Sequence, residues 1–307
     1  MRKIVFQREQ SEAFVITEAP DPVPGPGQML VRTEAVGVSV GLVRMLRAAA
    51  APEKDPGGEI VGRIIALGPD VEGYVIGDRV GGVVMEGAFS QSVLALPGLV
   101  STVPGEVEPS VALTLVRGGL IALSALHAGR FEPGESVLVT GGASGVGHLA
   151  VQLAKARGAR RVVAAVGSHG KADFLRDCGA DEVVTYAQPS WGERPDLILD
   201  GVGGELVQLG VEALAPYGRL VAFSAGGGNV DASSLLGNLK TVIGFSIGLI
   251  GRQDPGLIEQ RRAELWRMLA AGQLRPAHKA FPMERIADAV ELIETRRNLG
   301  RVLLHTN

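Results

Sequence analysis

The stretch that decides the fold is Ser136 to Ala156, SVLVTGGASGVGHLAVQLAKA. Val137, Leu138 and Val139 form an unbroken apolar run, the pattern of a parallel strand buried on both faces. Val146, Leu149, Ala150 and Leu153 then recur at helical intervals. Between strand and helix, Gly142, Ser144, Gly145 and Gly147 occupy the places of a G-x-G-x-x-G turn, with Ser144 where the middle glycine would stand. Gly142 permits the tight turn, Gly145 keeps bulk away from a diphosphate, and Gly147 lets the helix lie close on the strand. Amides at the start of that helix, around Val146, would face the anion. Glycine-rich turns also close ordinary connections, so the context matters. Here a strand precedes, a helix follows, and RVVAAV at 161–166 reads as a second strand about 20 residues on, which points to a dinucleotide.

Working outward, strands and helices alternate: 137–140 then 146–157, 161–166 then 171–178, and strands at 182–185, 197–199 and 220–223, the last after a helix at 205–215. That alternation predicts an α/β fold with a doubly wound parallel sheet. Residues 241–250 (TVIGFSIGLI) are expected to add an edge strand, and its apolar character predicts that a second subunit covers it in a homodimer. The first third is different. Short strand patterns at 3–6, 14–17, 28–35 and 59–67 are cut by Gly and Pro, as in DPVPGPG at 21–27, and predict a compact antiparallel barrel. Residues 40–50 have helical spacing, and 109–127 read as apolar helices linking one domain to the next. After a helix at 257–271, residues 280–307 give strand, helix and strand without resuming the alternation, so they are assigned back to the first domain. The expected division is 1–115, 116–252 for the dinucleotide domain, and 253–307 for the returning part.

Composition excludes several classes. The chain has 307 residues, 46% hydrophobic and 21% charged, and a net charge of -3 without a basic block, so no nucleic-acid surface is expected. A single cysteine, Cys178, excludes an internal disulfide framework and a cysteine-cluster metal site. The polar run QREQSE stands where a signal peptide needs its apolar core, and Arg117 interrupts the longest apolar run, so neither a leader nor a membrane span is expected and a cytoplasmic location is the default.

Pro24-Gly-Pro-Gly-Gln28 with Val31-Arg32, Gly77-Asp-Arg-Val80, the turn at 142–147, Gly179-Ala-Asp181 and Asp200-Gly-Val-Gly-Gly204 together resemble the medium-chain dehydrogenase/reductase superfamily, in its zinc-free quinone oxidoreductase branch. The resemblance spans nearly the whole chain. It implies a Rossmann sheet inserted in a GroES-like β-barrel domain. Zinc-bearing relatives place a cysteine where Ser39 stands and a histidine before the glutamate, where this chain has Gly58-Glu59. With neither thiolate nor imidazole there, no metal is expected.

The choice of cofactor rests on the end of the second strand. An NAD-selecting site usually carries an acid there, whereas residues 166–171 read VGSHGK. Ser168 and Lys171 can bind a 2'-phosphate. The resemblance adds Tyr186 to that phosphate site, and implies that Gly167, Val202, the loop Ser224-Ala225-Gly226 and the segment Phe245-Ser246-Ile247 complete the NADP(H) site. The implied reaction is hydride transfer to a small conjugated carbonyl compound, a quinone or an enone. The expected substrate pocket departs from the family: Ser39-Val40-Gly41-Leu42 and then Arg44 replace an Asn-Phe-x-Asp stretch followed by tyrosines, and Gly119-Leu120-Ile121 replaces Gly-Leu-Thr. Ser39 is a candidate to hydrogen-bond a carbonyl, and Arg44 to bind an acidic or phenolate-like group, the alternative for Arg44 being an ordinary surface arginine. Three readings stay open: a reductase of quinones or conjugated ketones, an enoyl or double-bond reductase of a biosynthetic intermediate, and a non-catalytic NADPH-binding sensor or scaffold.

Overall fold

The computed structural model describes residues 1–8, 13–48, 53–223 and 226–306, and all statements of structure concern these. In chain order, strands β1 (Arg2–Gln7), β2 (Phe14–Glu18) and β3 (Met29–Val38) precede helix α1 (Val40–Ala48) and strands β4 (Glu53–Lys54), β5 (Gly58–Leu67), β6 (Arg79–Val84), β7 (Ser92–Ala95) and β8 (Val100–Thr102). Helix α2 (Pro109–Leu113) runs through a π-helical segment, Thr114–Gly119, into α3 (Leu120–Ala128). Then follow β9 (Ser136–Thr140), α4 (Gly147–Ala156), β10 (Arg161–Val166), α5 (Ala172–Asp177), β11 (Glu182–Thr185), β12 (Leu197–Asp200), α6 (Glu205–Ala213), β13 (Arg219–Ala222), α7 (Ser233–Leu236), β14 (Thr241–Gly244), α8 (Ile247–Gln253) and α9 (Pro255–Ala270). The chain ends with β15 (His278–Pro282), α10 (Ile286–Glu294) and β16 (Arg301–His305). These elements form two units, residues 1–117 with 278–307, and residues 118–277.

In the first unit a seven-stranded sheet runs β15-β16-β3-β5-β6-β8, with β7 also on β3, and a small sheet runs β2-β1-β4. Strand β3 is long enough to take β7 along its first half (Met29 opposite Ala95) and β16 along its second (Val38 opposite Val302). The expected barrel is not purely antiparallel. β15 lies parallel to β16, because α10 supplies the crossover that parallel neighbours require. Phe281, Met283, Ile286, Val302 and Leu304 share a buried core with Ile4, Val31, Ile60, Val80 and Phe89. That shared apolar burial is what brings the chain end back to the N-terminal sheet.

The second unit has a six-stranded sheet in the order β11-β10-β9-β12-β13-β14, parallel at every pair. Val137, Leu138 and Val139 are fully buried, as their unbroken apolar run requires. The strand order reverses beside β9, so a crevice opens at the carboxyl ends of β9 and β12, the place where such sheets bind ligands.

Two expectations need correction. Residues 241–250 are not one strand: β14 ends at Gly244, and the Ser246 hydroxyl accepts from the Leu249 amide at 3.3 Å to cap α8. A short apolar run does not itself separate strand from helix, and here the cap decides. The second unit ends at Ala277 rather than 252. The Gln152 side chain exchanges two hydrogen bonds with the Arg275 backbone (2.7 and 3.1 Å), holding the segment after α9 to α4. The helical stretch Pro109–Ala128, whose most apolar window has a mean hydropathy of 1.6, is long and apolar enough by length and composition to cross a membrane, yet Arg117 interrupts it and 72% of that window is buried within the protein, as in a core helix.

Candidate nucleotide-binding site

The turn after β9 is fixed by its own backbone. Gly141 adopts a φ of +64°, the Ser144 amide donates to Gly141 O at 2.8 Å, and the Ser144 hydroxyl accepts from the Gly147 amide at 3.0 Å. His148 is fully buried, and its Nε2 accepts from the Ala277 amide at 3.0 Å. That places the ring proton on Nδ1, which donates to Ser144 O at 2.8 Å. Ser144 is thereby held at its hydroxyl, amide and carbonyl. The amides of Gly145 and Val146, by contrast, meet no acceptor among the described residues.

The same turn requires glycine at its end. A Cβ on Gly147 would lie 2.1 Å from Gly141 O and under 3 Å from the carbonyl carbons of Gly141 and Gly142. The start of α4 therefore sits directly on the turn, which places two amide donors at the positive end of a ten-residue helix. This fits a diphosphate, which needs amide donors and no side-chain bulk.

The carboxyl end of β12 is braced by Asp200, which is 1% exposed. Its Oδ1 accepts from the Thr140 hydroxyl at 2.6 Å and from the Val202 amide at 3.3 Å, and its Oδ2 from the Gly203 amide at 2.9 Å. The Thr140 oxygen accepts in turn from the Gly201 amide at 3.1 Å. A buried carboxylate is tolerated because donors surround it. The sequence reading used Asp200 only as part of a motif and overlooked this role.

At the end of β10, residues 167–170 are exposed, and no acid stands between Val166 and Lys171. The Ser168 hydroxyl accepts from the Gly170 amide at 3.3 Å, and Lys171 is half-buried just before α5. The Tyr186 hydroxyl accepts from the Gly141 amide at 2.9 Å. This joins Tyr186 to the glycine turn, a bond between residues 45 positions apart that no spacing rule signals. Farther along the rim, the Phe245 amide donates to Ala222 O at 3.0 Å, and a Cβ on Gly203 would fall 2.8 Å from the backbone of Gly226 and Gly227. Val202, Gly226, Phe245, Ser246 and Ile247 thus follow the carboxyl ends of the sheet strands. Ser224 and Ala225 lie outside the described residues. Cys178 is not a reactive thiol: burial pushes it up to about 11.

Ser39 and Arg44 belong to the first unit. The Ser39 hydroxyl accepts from the Leu42 amide at 3.3 Å at the start of α1, and Arg44 is exposed on that helix. Glu59 is held by Arg301 (Nη2 to Oε2, 2.7 Å) and Arg117 (Nε to Oε1, 3.7 Å). Gly37 makes room for this arrangement, since a Cβ there would meet Arg301 Nη2 at 2.0 Å. Among the described residues, no group of three or more His, Cys, Asp or Glu is placed to hold a metal ion.

Two family models match the chain, one described as zinc-binding dehydrogenase over residues 145–263 and one as alcohol dehydrogenase GroES-like domain over residues 25–107. Prostaglandin reductase-3 of Mus musculus is 27% identical over 338 residues, covering 99% of this chain and 89% of that protein. Mycocerosic acid synthase-like polyketide synthase of Mycolicibacterium smegmatis is 27% identical over 325 residues, covering 99% of this chain; the chain spans only 15% of that protein's length. Among solved structures, mycobacterial Rv1454c complexed with NADPH is 27% identical with a TM-score of 0.89, covering 99% of this chain and all of that one. The quinone oxidoreductase of Pseudomonas syringae pv. Tomato DC3000 is 25% identical with a TM-score of 0.87, covering 99% of each chain. With its parallel Rossmann sheet and mixed GroES-like sheet, the chain has the fold of the medium-chain dehydrogenase/reductase superfamily and is structurally close to quinone-oxidoreductase-like members.

Proposed function

We propose that the protein is an NADPH-dependent oxidoreductase acting on a small conjugated carbonyl compound, a quinone or an enone. The single observation that carries the reading is the pair of Gly145 and Val146 amides, which meet no acceptor among the described residues, at the head of α4 and beside the switch point of the sheet. The likeness to a structure complexed with NADPH supports the choice of nucleotide, as does the absence of an acid from 166–171.

When bound, the reduced nicotinamide supplies a hydride to an electron-poor carbon. The chain's own residues bind and orient. Gly145 and Val146 hold the diphosphate by their amides, and Gly147 permits that approach. Ser168, Lys171 and Tyr186 take the 2'-phosphate, Lys171 as its cationic partner. Gly167, Val202, Gly226, Phe245, Ser246 and Ile247 line the remainder of the rim. Ser39, whose oxygen already accepts from Leu42, keeps its hydroxyl proton to donate to the substrate carbonyl as negative charge develops there. Arg44 offers a guanidinium to an acidic or phenolate-like group, and the final proton comes from water. A second copy pairs along the free edge of β14, making a homodimer.

A second reading, reduction of a double bond in a biosynthetic intermediate, draws support from the likeness to prostaglandin reductase-3 and to one segment of a polyketide synthase. Titrating NADPH and NADH separately, then following NADPH oxidation with a quinone, an enone and an enoyl thioester, tests both. Tighter NADPH binding with turnover of the quinone or enone is expected. Absence of binding by either nucleotide would overturn the reading, and turnover of the thioester alone would favour the second. Tight NADPH binding with no oxidation by any acceptor would leave a binding protein.

A further inference from the structure

We infer that the second unit carries a separate binding site, in the groove between the loop at 186–195 and helix α6, for a neutral planar ring compound bearing a hydrogen-bond acceptor, and that Tyr186 couples this site to the glycine turn. The groove has a volume of about 380 Å³, within the range of small-molecule pockets. Tyr186 and Trp191 both line it, together with Pro189, Leu209 and Ala213. Trp191 is 7% exposed and shares a core with Val184, Val207 and Val211, so it is a fixed wall. Leu209 is 44% exposed, an apolar side chain that the folded chain leaves uncovered at the groove. Rings and prolines favour a planar ligand, since aromatic pairs gain from stacking beyond the area they bury.

Charge at the groove is already engaged. Glu193 pairs with Arg160 at 2.8 Å, an Arg194 Nη1 donates to Leu214 O at 3.3 Å, and Glu212 accepts from Gln208 at 2.8 Å. A neutral ligand breaks none of these contacts. Two donors remain. Gln188 accepts from the Thr185 amide through Oε1 (2.8 Å), which leaves its NH₂ group, and Ser190 accepts from the Gly192 amide (3.2 Å), which leaves its hydroxyl proton. Both suit a carbonyl or ether oxygen on the ring.

The coupling follows from Tyr186, which lines the groove while its hydroxyl accepts from the Gly141 amide at 2.9 Å. A ligand that moves this ring displaces the group fixing Gly141 in its left-handed conformation. Nucleotide and ring compound therefore change each other's affinity by one common factor. The coupling rests on the nucleotide reading above; binding in the groove does not.

The test is calorimetric titration of the full chain with 2-acetylnaphthalene in the absence of nucleotide. Saturable binding is expected, weakened at least tenfold by Ala213→Phe, which fills the groove, and by Leu209→Asp, a change at an exposed position that preserves folding if the first variant does not. The NADPH dissociation constant should then shift at least threefold under saturating probe, and should not shift in Tyr186→Phe, which keeps the ring and loses the hydroxyl. No saturable binding, or binding untouched by both groove variants, overturns the site. An NADPH constant that ignores the probe overturns the coupling. Probe binding in a protein that binds neither nucleotide supports the groove and removes the nucleotide reading instead.

Discussion

The Asp200 carboxylate accepts the Thr140 hydroxyl at 2.6 Å, tying the carboxyl end of β12 to that of β9 across the point where the strand order reverses. Because the same carboxylate takes the amides of Val202 and Gly203, one buried charge shapes both sides of the crevice. Asp200→Ala would leave the buried Thr140 hydroxyl and Gly203 amide without their acceptor. At about 1–3 kcal/mol for each of these two orphaned groups, stability should fall by roughly 2–6 kcal/mol. Thermal unfolding should show a clearly lower Tm, and NADPH titration a weaker affinity; an unchanged Tm would refute the bracing role.

Gly147→Ala puts a methyl group 2.1 Å from Gly141 O, where only backbone can yield. The head of α4 must then shift off the turn, and NADPH affinity should drop at least tenfold. Gly237→Ala, whose added Cβ meets nothing within 4 Å, is the control and should bind normally. Equal affinities in the two variants would contradict the close packing described for the turn.

Selection between the two nucleotides should reside in Lys171. A charge-assisted contact to phosphate is worth about 1.5–3 kcal/mol, so Lys171→Ala should weaken NADPH binding roughly tenfold or more while NADH changes less than about twofold. Parallel fluorescence titrations of both nucleotides decide this. A proportionate loss for both would show that Lys171 supports the local fold and does not read the phosphate.

Acid sensitivity should trace in part to Glu135. Burial alone would raise its pKa, but hydrogen bonds from Arg219 (2.6 and 2.8 Å) and from the Glu132 amide outweigh burial and hold it below the ordinary carboxylate value. Since the folded pKa lies below the unfolded one, the pair's contribution is complete above the unfolded value and disappears as pH falls through the folded one. Glu135→Gln should lower Tm at neutral pH and flatten the decline of Tm on acidification. A decline as steep as in the parent protein would place the sensitivity elsewhere.

Much of the second unit was legible because its determinants are local. The apolar run at 137–139 specifies a buried strand, the spacing after Gly147 specifies a helix, and glycine is required where a Cβ would strike Gly141 O. The limits of local pattern appear at 241–250, where Ser246 caps a helix in place of a continued strand. They appear again at α9, whose place in the second unit comes with the Gln152 and His148 contacts to the chain after it.

The sequence by itself determined a parallel sheet with a glycine turn at its first helix, an N-terminal domain of another kind, and an end of the second strand without an acid, since each depends on residues close together along the chain. Tertiary structure alone decided that Tyr186 holds Gly141, that Asp200 joins two strand ends, and that Arg301 answers Glu59. Those partners are 45, 60 and 242 positions apart. Hydrogen bonds and ion pairs act over a few ångströms, so only the packing of the apolar cores, which fixes strand order, brings such residues within reach.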